Sequence, residues 1–327
     1  MNLMALDVIY VGNAIVDVVA VSDDSFLQEH NVDKGGMNLI DEERALYLSE
    51  RLENPTKMAG GSAANSAVGM ALLGGKSGFV GEVAEDGLGH EFVSSLEDTG
   101  TAFLGKVTND GLATARSMII VTPDAVRSMN TFLGACIQMG PTHLDNLPQA
   151  DVFYLEGYLF DAPEGPALFA KVAQIAEETG AKLALSLSDA WCVERHFDAF
   201  STFIKDHVSI IFSNEDEARA LTGKAYQDAG AEMAGYLDEV IITRGAQGAF
   251  IIKGDDSAHV DAAPVGAVID TTGAGDLFAA GYLYGRARGA DATICGKIAS
   301  ALSGEIICHY GARPEANLKA LISDLIA

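Results

Sequence analysis

Short apolar runs alternate with segments of helical period along most of this chain. Val8 to Val11, Ser77 to Val83, Val152 to Leu155, Lys182 to Leu187, Ser209 to Ser213 and Glu239 to Thr243 read as strands. Between them Ser62 to Leu73, Leu88 to Thr99, Pro166 to Thr179, Cys192 to Lys205 and Glu215 to Leu221 read as helices. Short strands continue from Thr243 to Val260, and three helices close the chain: Leu277 to Arg288, Ala292 to Cys308 and Glu315 to Ile326. This alternation predicts an α/β fold with a doubly wound, mostly parallel sheet flanked by helices. Ligands of such sheets sit at the carboxyl ends of the strands. Ile15 to Val21, Gly35 to Ile40 and Ala113 to Val121 do not fit the alternation. With Ala102 to Val107 paired to the last of these, they are expected to form a small separate sheet. The expectation is one domain over 1–327, with the small-sheet strands, about 13–40 and 102–131, inserted in the core.

Composition narrows the picture. The 327 residues, 49% hydrophobic, suffice for one large core. The 21 basic and 46 acidic side chains leave a net charge of −25, which disfavours nucleic acid and anionic membranes as partners. Local N–H groups and a metal ion can still receive a nucleotide against that field. Cys136, Cys192, Cys295 and Cys308 have no C-x-x-C spacing, so reduced thiols and a cytoplasmic setting are expected. The apolar start, Met1 to Val21, carries Asp7 and Asp17 and no basic region, and reads as strands rather than a signal peptide.

The chemistry concentrates in Asp270-Thr271-Thr272-Gly273-Ala274-Gly275-Asp276, between the apolar run Ala262 to Ile269 and the helical run from Leu277. Two glycines open a turn, and a helix start there offers N–H groups and a dipole to an anion. Asp276 in the same turn would repel phosphate but suits removal of a proton from an attacking hydroxyl. A dinucleotide fingerprint fails because Phe278 holds its third glycine position. A P-loop fails because Met70 replaces the first glycine in Met70 to Ser77. An ordinary strand-to-helix turn remains the alternative for this motif alone.

Other candidates are weaker singly. Asp17 lies among β-branched neighbours, where sugar hydroxyls could satisfy it; an edge-strand acid facing water is the alternative. Gly60 and Gly61 precede a helix of small residues with Ser62 as its expected N-cap and Asn65 in the first turn. Asn214 and Glu217 share one face of a helix start, either holding the water shell of Mg²⁺ or simply capping. Thr243, Gly245 and Gly248 mark a strand end that lies under phosphates or makes a hairpin. The turn Gly311-Ala312-Arg313-Pro314 shows only weak chemistry of its own.

Taken in order, these segments resemble the ribokinase-like (PfkB) family of carbohydrate and nucleoside kinases. GNAIVD resembles the family's substrate-binding start, AGGSAANSAVGMALLG its first signature and IDTTGAGDLFAAGYLYG its second. SNEDEA resembles its N-x-x-E motif and ITRGAQGA its nucleotide-side turn. The resemblance implies Asp276 as catalytic base and Gly273, Ala274 and Gly275 as an anion hole. It implies Asp17, Gly61 and Asn65 on sugar hydroxyls, with Arg127 a phosphate contact. Asn214 and Glu217 would support Mg²⁺, Glu217 through water, with Thr243, Gly245 and Gly248 beside ATP. It also implies a monovalent cation, K⁺, near Asp270 and Thr272, and a small β-lid. The opening GNAIVDVVAVSDDSFL and the stretch ATARSMIIVTPDAVRSMNTFLGA are similar to adenosine kinases. The expected reaction is therefore ATP-dependent phosphorylation of a primary hydroxyl of a nucleoside, adenosine first. A sugar kinase and a non-catalytic ligand sensor are the alternatives, and the chain is expected as a monomer or homodimer.

Overall fold

The computed structural model describes residues 5–124 and 126–326; the start of the expected N-terminal strand region, and Ala125 within the lid stretch, lie outside them. Among the described residues, nine strands form the main sheet. Their order is Asp256–Val260, Ala249–Lys253, Glu239–Thr243, Ile210–Asn214, Lys182–Ser186, Ala150–Glu156, Leu6–Val11, Ser77–Val80 and Ala102–Phe103. All neighbours are parallel except the two pairings that involve Ala249–Lys253. The strands Leu6–Val11 and Ala150–Glu156 are adjacent although far apart in sequence. From this pair the chain winds outward in both directions, so the crevice beyond Val11 and Glu156 is the switch point where such sheets bind ligands.

Both sheet faces are covered. Tyr10, Phe79, Tyr154 and Tyr282 are fully buried on one side, and Ile9, Phe153, Phe169 and Phe200 on the other. Each such side chain contributes about 1.5–3 kcal/mol of burial. The helix Ala274–Ala287 is anchored at its far end by buried Glu239, which accepts hydrogen bonds from Tyr282 Oη at 2.6 Å and Arg286 Nε at 2.7 Å. It packs on the helix Ser62–Leu72 at Gly69, where an added methyl would lie 2.7 Å from Leu277 and 2.8 Å from Ala280. The small residues of Ser62–Leu72 thus let two helix starts converge.

A second sheet has the order Met37–Leu39, Arg127–Phe132, Ala115–Val121, Ile15–Val21 and Thr56–Ala59. Its outer face packs Val18, Ala20, Met118 and Ile120 against Leu27 and Leu48 of the short helices Asp24–Glu29 and Glu42–Ser49. Here the sequence expectation needs correction. Ala115–Val121 pairs with Arg127–Phe132 and Ile15–Val21, not with 102–107. Ala102–Phe103 joins the main sheet, and Lys106–Thr108 pairs with Glu82–Ala84. The expected strand 77–83 is therefore two strands, and the expected helix 192–205 is split into Ala190–Arg195 and Phe197–His207. The segment 315–326 condenses to one short helix, Leu318–Leu321, and a 3-10 turn.

Candidate active site

The helix carrying Asp276 begins at Ala274, with Gly273 as its N-cap at φ +77°, a conformation that favours glycine. No side chain among the described residues caps it. Ala274 N–H reaches Thr271 O at 3.2 Å, while those of Gly275 and Asp276 meet no acceptor among the described residues. An open helix start of this kind receives anions. The segment before it, 262–269, is an irregular apolar stretch rather than a strand.

Asp276 is half-buried and faces the other helix start. Ser62 Oγ donates to its Oδ1 at 2.6 Å and Asn65 Nδ2 to its Oδ2 at 2.9 Å. Ser66 Oγ holds its main-chain carbonyl at 3.0 Å. Burial pushes the Asp276 carboxyl above its ordinary value, against the pull of Ser62, Asn65 and the Arg313 cation. Ser62 is consequently not the expected N-cap: that position is Gly61, and Ser62 turns its hydroxyl to Asp276. A carboxylate with a raised pKa beside unpaired N–H groups can accept a proton while an anion rests next to it.

Asp17 points from the second sheet toward this turn. It lies on an interior strand, between Met58 and Ser117, so the edge-strand alternative is excluded. No described residue donates a hydrogen bond to it, and a methyl at Gly60 would overlap its carboxylate. Burial raises it to about 6, opposed by Arg127 and Arg313 and assisted by Asp276 and Asp270. Arg127, on the same face two strands away, reaches Asp270 Oδ1 at 2.7 Å. Asp270 Oδ1 also accepts from Thr272 N at 3.0 Å and Thr272 Oγ1 at 2.7 Å, and its Oδ2 accepts from Gly311 N at 3.0 Å. Burial would raise Asp270, but these donors and Arg127 hold it below the usual range.

A cavity of about 450 Å³ opens on the other side of the helix start. Its lining includes Thr243, Gly245, Gly248, Val265, Val268 and Phe278, with Gly275 of the helix start. The turn at Gly245 leads into the antiparallel strand Ala249–Lys253, so the hairpin alternative is correct and the hairpin also lines the cavity. Asn214 and Glu217 close on each other. Asn214 accepts from the N–H groups of Asp216 and Glu217, while Glu217 accepts from Asn214 N at 3.0 Å and Nδ2 at 2.6 Å. Burial lifts Glu217 to about 7, and the nearby Asp189 and Asp216 add to the rise.

Three residues escaped the sequence reading. Glu156, at the switch point, is 1% exposed and accepts from Asn13 N, Asn13 Nδ2 and Ala63 N, all at 2.8 Å. Burial raises it to about 7. A carboxylate ending the apolar run Val152 to Leu155 was the available signal. Asn13 is its partner, and a methyl at Gly12 would overlap Glu156. Arg313, in the turn judged weak, donates from Nε to Ala59 O at 2.8 Å and from Nη1 to Ala64 O at 3.3 Å.

Comparison with known proteins shows the family to which the chain belongs. Residues 8–318 match the model of the pfkB family of carbohydrate kinases. The crystal structure of adenosine kinase from Sinorhizobium meliloti is 39% identical with a TM-score of 0.90, covering 98% of this chain and 99% of that one. A probable sugar kinase from Rhizobium etli CFN 42 is 38% identical with a TM-score of 0.91 at the same coverages. Adenosine kinase from Saccharomyces cerevisiae is 27% identical over 88% of this chain and 91% of its own. The chain is therefore a member of the PfkB kinase family, a phosphotransferase with an alcohol acceptor.

Proposed function

We propose that this enzyme transfers the γ-phosphoryl group of MgATP to the 5′-hydroxyl of a nucleoside, with adenosine the preferred acceptor. One observation carries the nucleoside reading over the plain-sugar alternative. On the cleft-facing side of the small sheet, Asp17, Ser117 and Thr131 form a polar row in register. The next row on that face is apolar: Val19, Ile119, Met129 and Met37. Residues two apart share a face, so hydroxyls at the first row bring an attached ring over the second. A ribose alone leaves the part-exposed Val19, Met129 and Met37 of that row wet; a nucleobase covers them.

In this reading Asp276 takes the proton as the hydroxyl attacks, and the N–H groups around Gly273, Ala274 and Gly275 receive the transferring group. Asp17, Gly61 and Asn65 hold the ribose; the unpartnered Oδ1 of Asn65 is free for a hydroxyl. Arg127 is available to leave Asp270 for phosphate, and Asp270 then keeps Thr272 and Gly311 in place. Adenine of ATP lies in the cavity of Val265, Val268 and Phe278, with Thr243, Gly245 and Gly248 along the phosphates. Closure of the small sheet as a lid excludes water.

Mg²⁺ fits beside Asn214 and Glu217. Glu217 is buried among acids, so a cation nearby is favourable, and its oxygens already accept from Asn214, which suits contact through water. When bound, Mg²⁺ would offset charge on the phosphates. K⁺ would compete at Asp270 with four hydrogen bonds while Arg127 is bound and with three once Arg127 leaves; Asp270 and Thr272 would hold it, and no step here uses it. A cytosolic setting agrees with the four free cysteines, and among the described residues no helix is long and apolar enough to cross a membrane.

The test is an acceptor series with MgATP, measuring ADP formation on adenosine, other nucleosides, ribose and fructose. Adenosine is expected to give the highest kcat/KM. Turnover confined to the free sugars would overturn the nucleoside reading and leave the phosphotransferase intact.

A further inference from the structure

Arg313 belongs to none of the motifs that identify the family in this chain, yet it ties the small sheet to the Ser62–Asn65 helix start. Its turn lies under the anion hole: Gly311 N–H binds Asp270, and a methyl added at Gly273 would lie 2.9 Å from Ala312 Cβ. Its guanidinium takes one carbonyl from each side of Gly60–Gly61. Ala59 ends the edge strand of the small sheet, and Ala64 lies in the first turn of the helix that presents Ser62 and Asn65 to Asp276. The third nitrogen, Nη2, is buried with no partner among the described residues. A buried donor left unpaired calls for a reason beyond local hydrogen bonding.

We propose that Arg313 is a positioning residue of the phosphoryl-transfer site, fixing the Ser62–Asn65 helix start against the anion hole and keeping a cation near Asp17 and Asp276. The proposal rests on the phosphotransfer reading given above. Its guanidinium interacts with both carboxylates without an ion pair to either, and its burial lowers it only to about 10, so it stays charged. The same cation opposes the burial that raises Asp17 and Asp276. The other charged groups around it are Asp270 and Arg127 on the cleft side and Lys57 and Glu91 in a cavity of about 390 Å³ behind. Glu156 lies beyond Asp276. Lysine cannot substitute, because a point charge does not span two carbonyls as a planar fork does.

Two variants and two readouts test this. R313M keeps the stem and loses both ties and charge; R313K keeps the charge alone. With MgATP and the acceptor that the wild type turns over, R313M is expected to lose about a hundredfold in kcat, as misplaced catalytic geometry does. Its KM for ATP stays near that of the wild type, and the acid limb of its pH profile moves to higher pH. R313K is expected to restore the limb and leave kcat low. Wild-type kcat in R313M, or lost kcat and melting temperature with an unmoved limb in a folded R313M, would overturn the proposal. Should R313M fail to fold, wild-type kcat in R313K overturns it instead. The ¹³C carboxylate titrations of Asp17 and Asp276 need no turnover: both move up in R313M relative to the wild type, and no movement sinks the charge role. An inert wild type with shifted titrations would refute the phosphotransfer reading and keep the electrostatic one.

Discussion

Two helix starts lie at the carboxyl end of the large sheet and treat their free N–H groups in opposite ways. At Asn214 the chain closes on itself: the amide side chain caps Asp216 and Glu217, and Glu217 returns both oxygens to Asn214. At Gly273 no side chain among the described residues caps the helix, and the one carboxylate in the first turn, Asp276, is drawn sideways to Ser62 and Asn65. The closed start is stable without a ligand. The open one carries unmet donors and a half-buried acid, costs that an anion and an attacking hydroxyl would offset. Unsatisfied groups beside a cavity point to function more surely than the acidic residues of a well-capped helix.

Substitutions should separate the two starts. The largest effect is expected for D276N, a loss of about 10²–10⁴ in kcat with the acceptor in place. Because burial raises Asp276, its ionised form opposes folding; the same variant should melt higher than the wild type at pH 8. Near-normal turnover in a rate assay would remove Asp276 from the base role. G273A should follow, since φ +77° and the contact with Ala312 both resist a methyl; a cost of about 1–3 kcal/mol and a strong loss of kcat are expected from denaturant unfolding and turnover. N214A should cost about 0.5–2 kcal/mol as a lost cap, with a smaller effect on kcat that raised Mg²⁺ partly restores. A kcat loss as large as that of D276N would show the two starts to be equivalent.

A further comparison concerns pH and stability. Asp17, Glu156 and Glu217 bind protons more tightly in the folded chain, at about 6, about 7 and about 7, than in the unfolded one. The folded state then holds more protons between ordinary carboxylate values and about 7. Resistance to urea should fall as pH rises through that window and level off above it. A rise across the same window would contradict the burial argument.

The open helix start was legible in the sequence because its parts are contiguous. Gly273, Gly275 and Asp276 act within one turn, and the strand–helix alternation that places them survives as periodicity. What was not legible depends on contacts between distant segments. Asn13 and Glu156 are 143 residues apart, Ser62 and Asp276 214, and Arg313 and Ala59 254. No local pattern marks an arginine whose partners are main-chain carbonyls, since any residue could supply them. The pairing of Arg127–Phe132 was lost for a related reason: RSMNTF has Arg127 and Thr131 on the cleft face and the buried Ser128 and Asn130 on the other, so neither face shows a clean apolar alternation. Short pieces such as Ala102–Phe103 are assigned by their neighbours alone.

The most direct test of the account is single-turnover transfer from γ-labelled MgATP to adenosine, run on the wild type and D276N side by side. The account predicts labelled AMP from the wild type, with D276N slower by two orders of magnitude or more while its ATP affinity is kept. Equal rates in the two proteins, or label released to water with adenosine untouched, would contradict it.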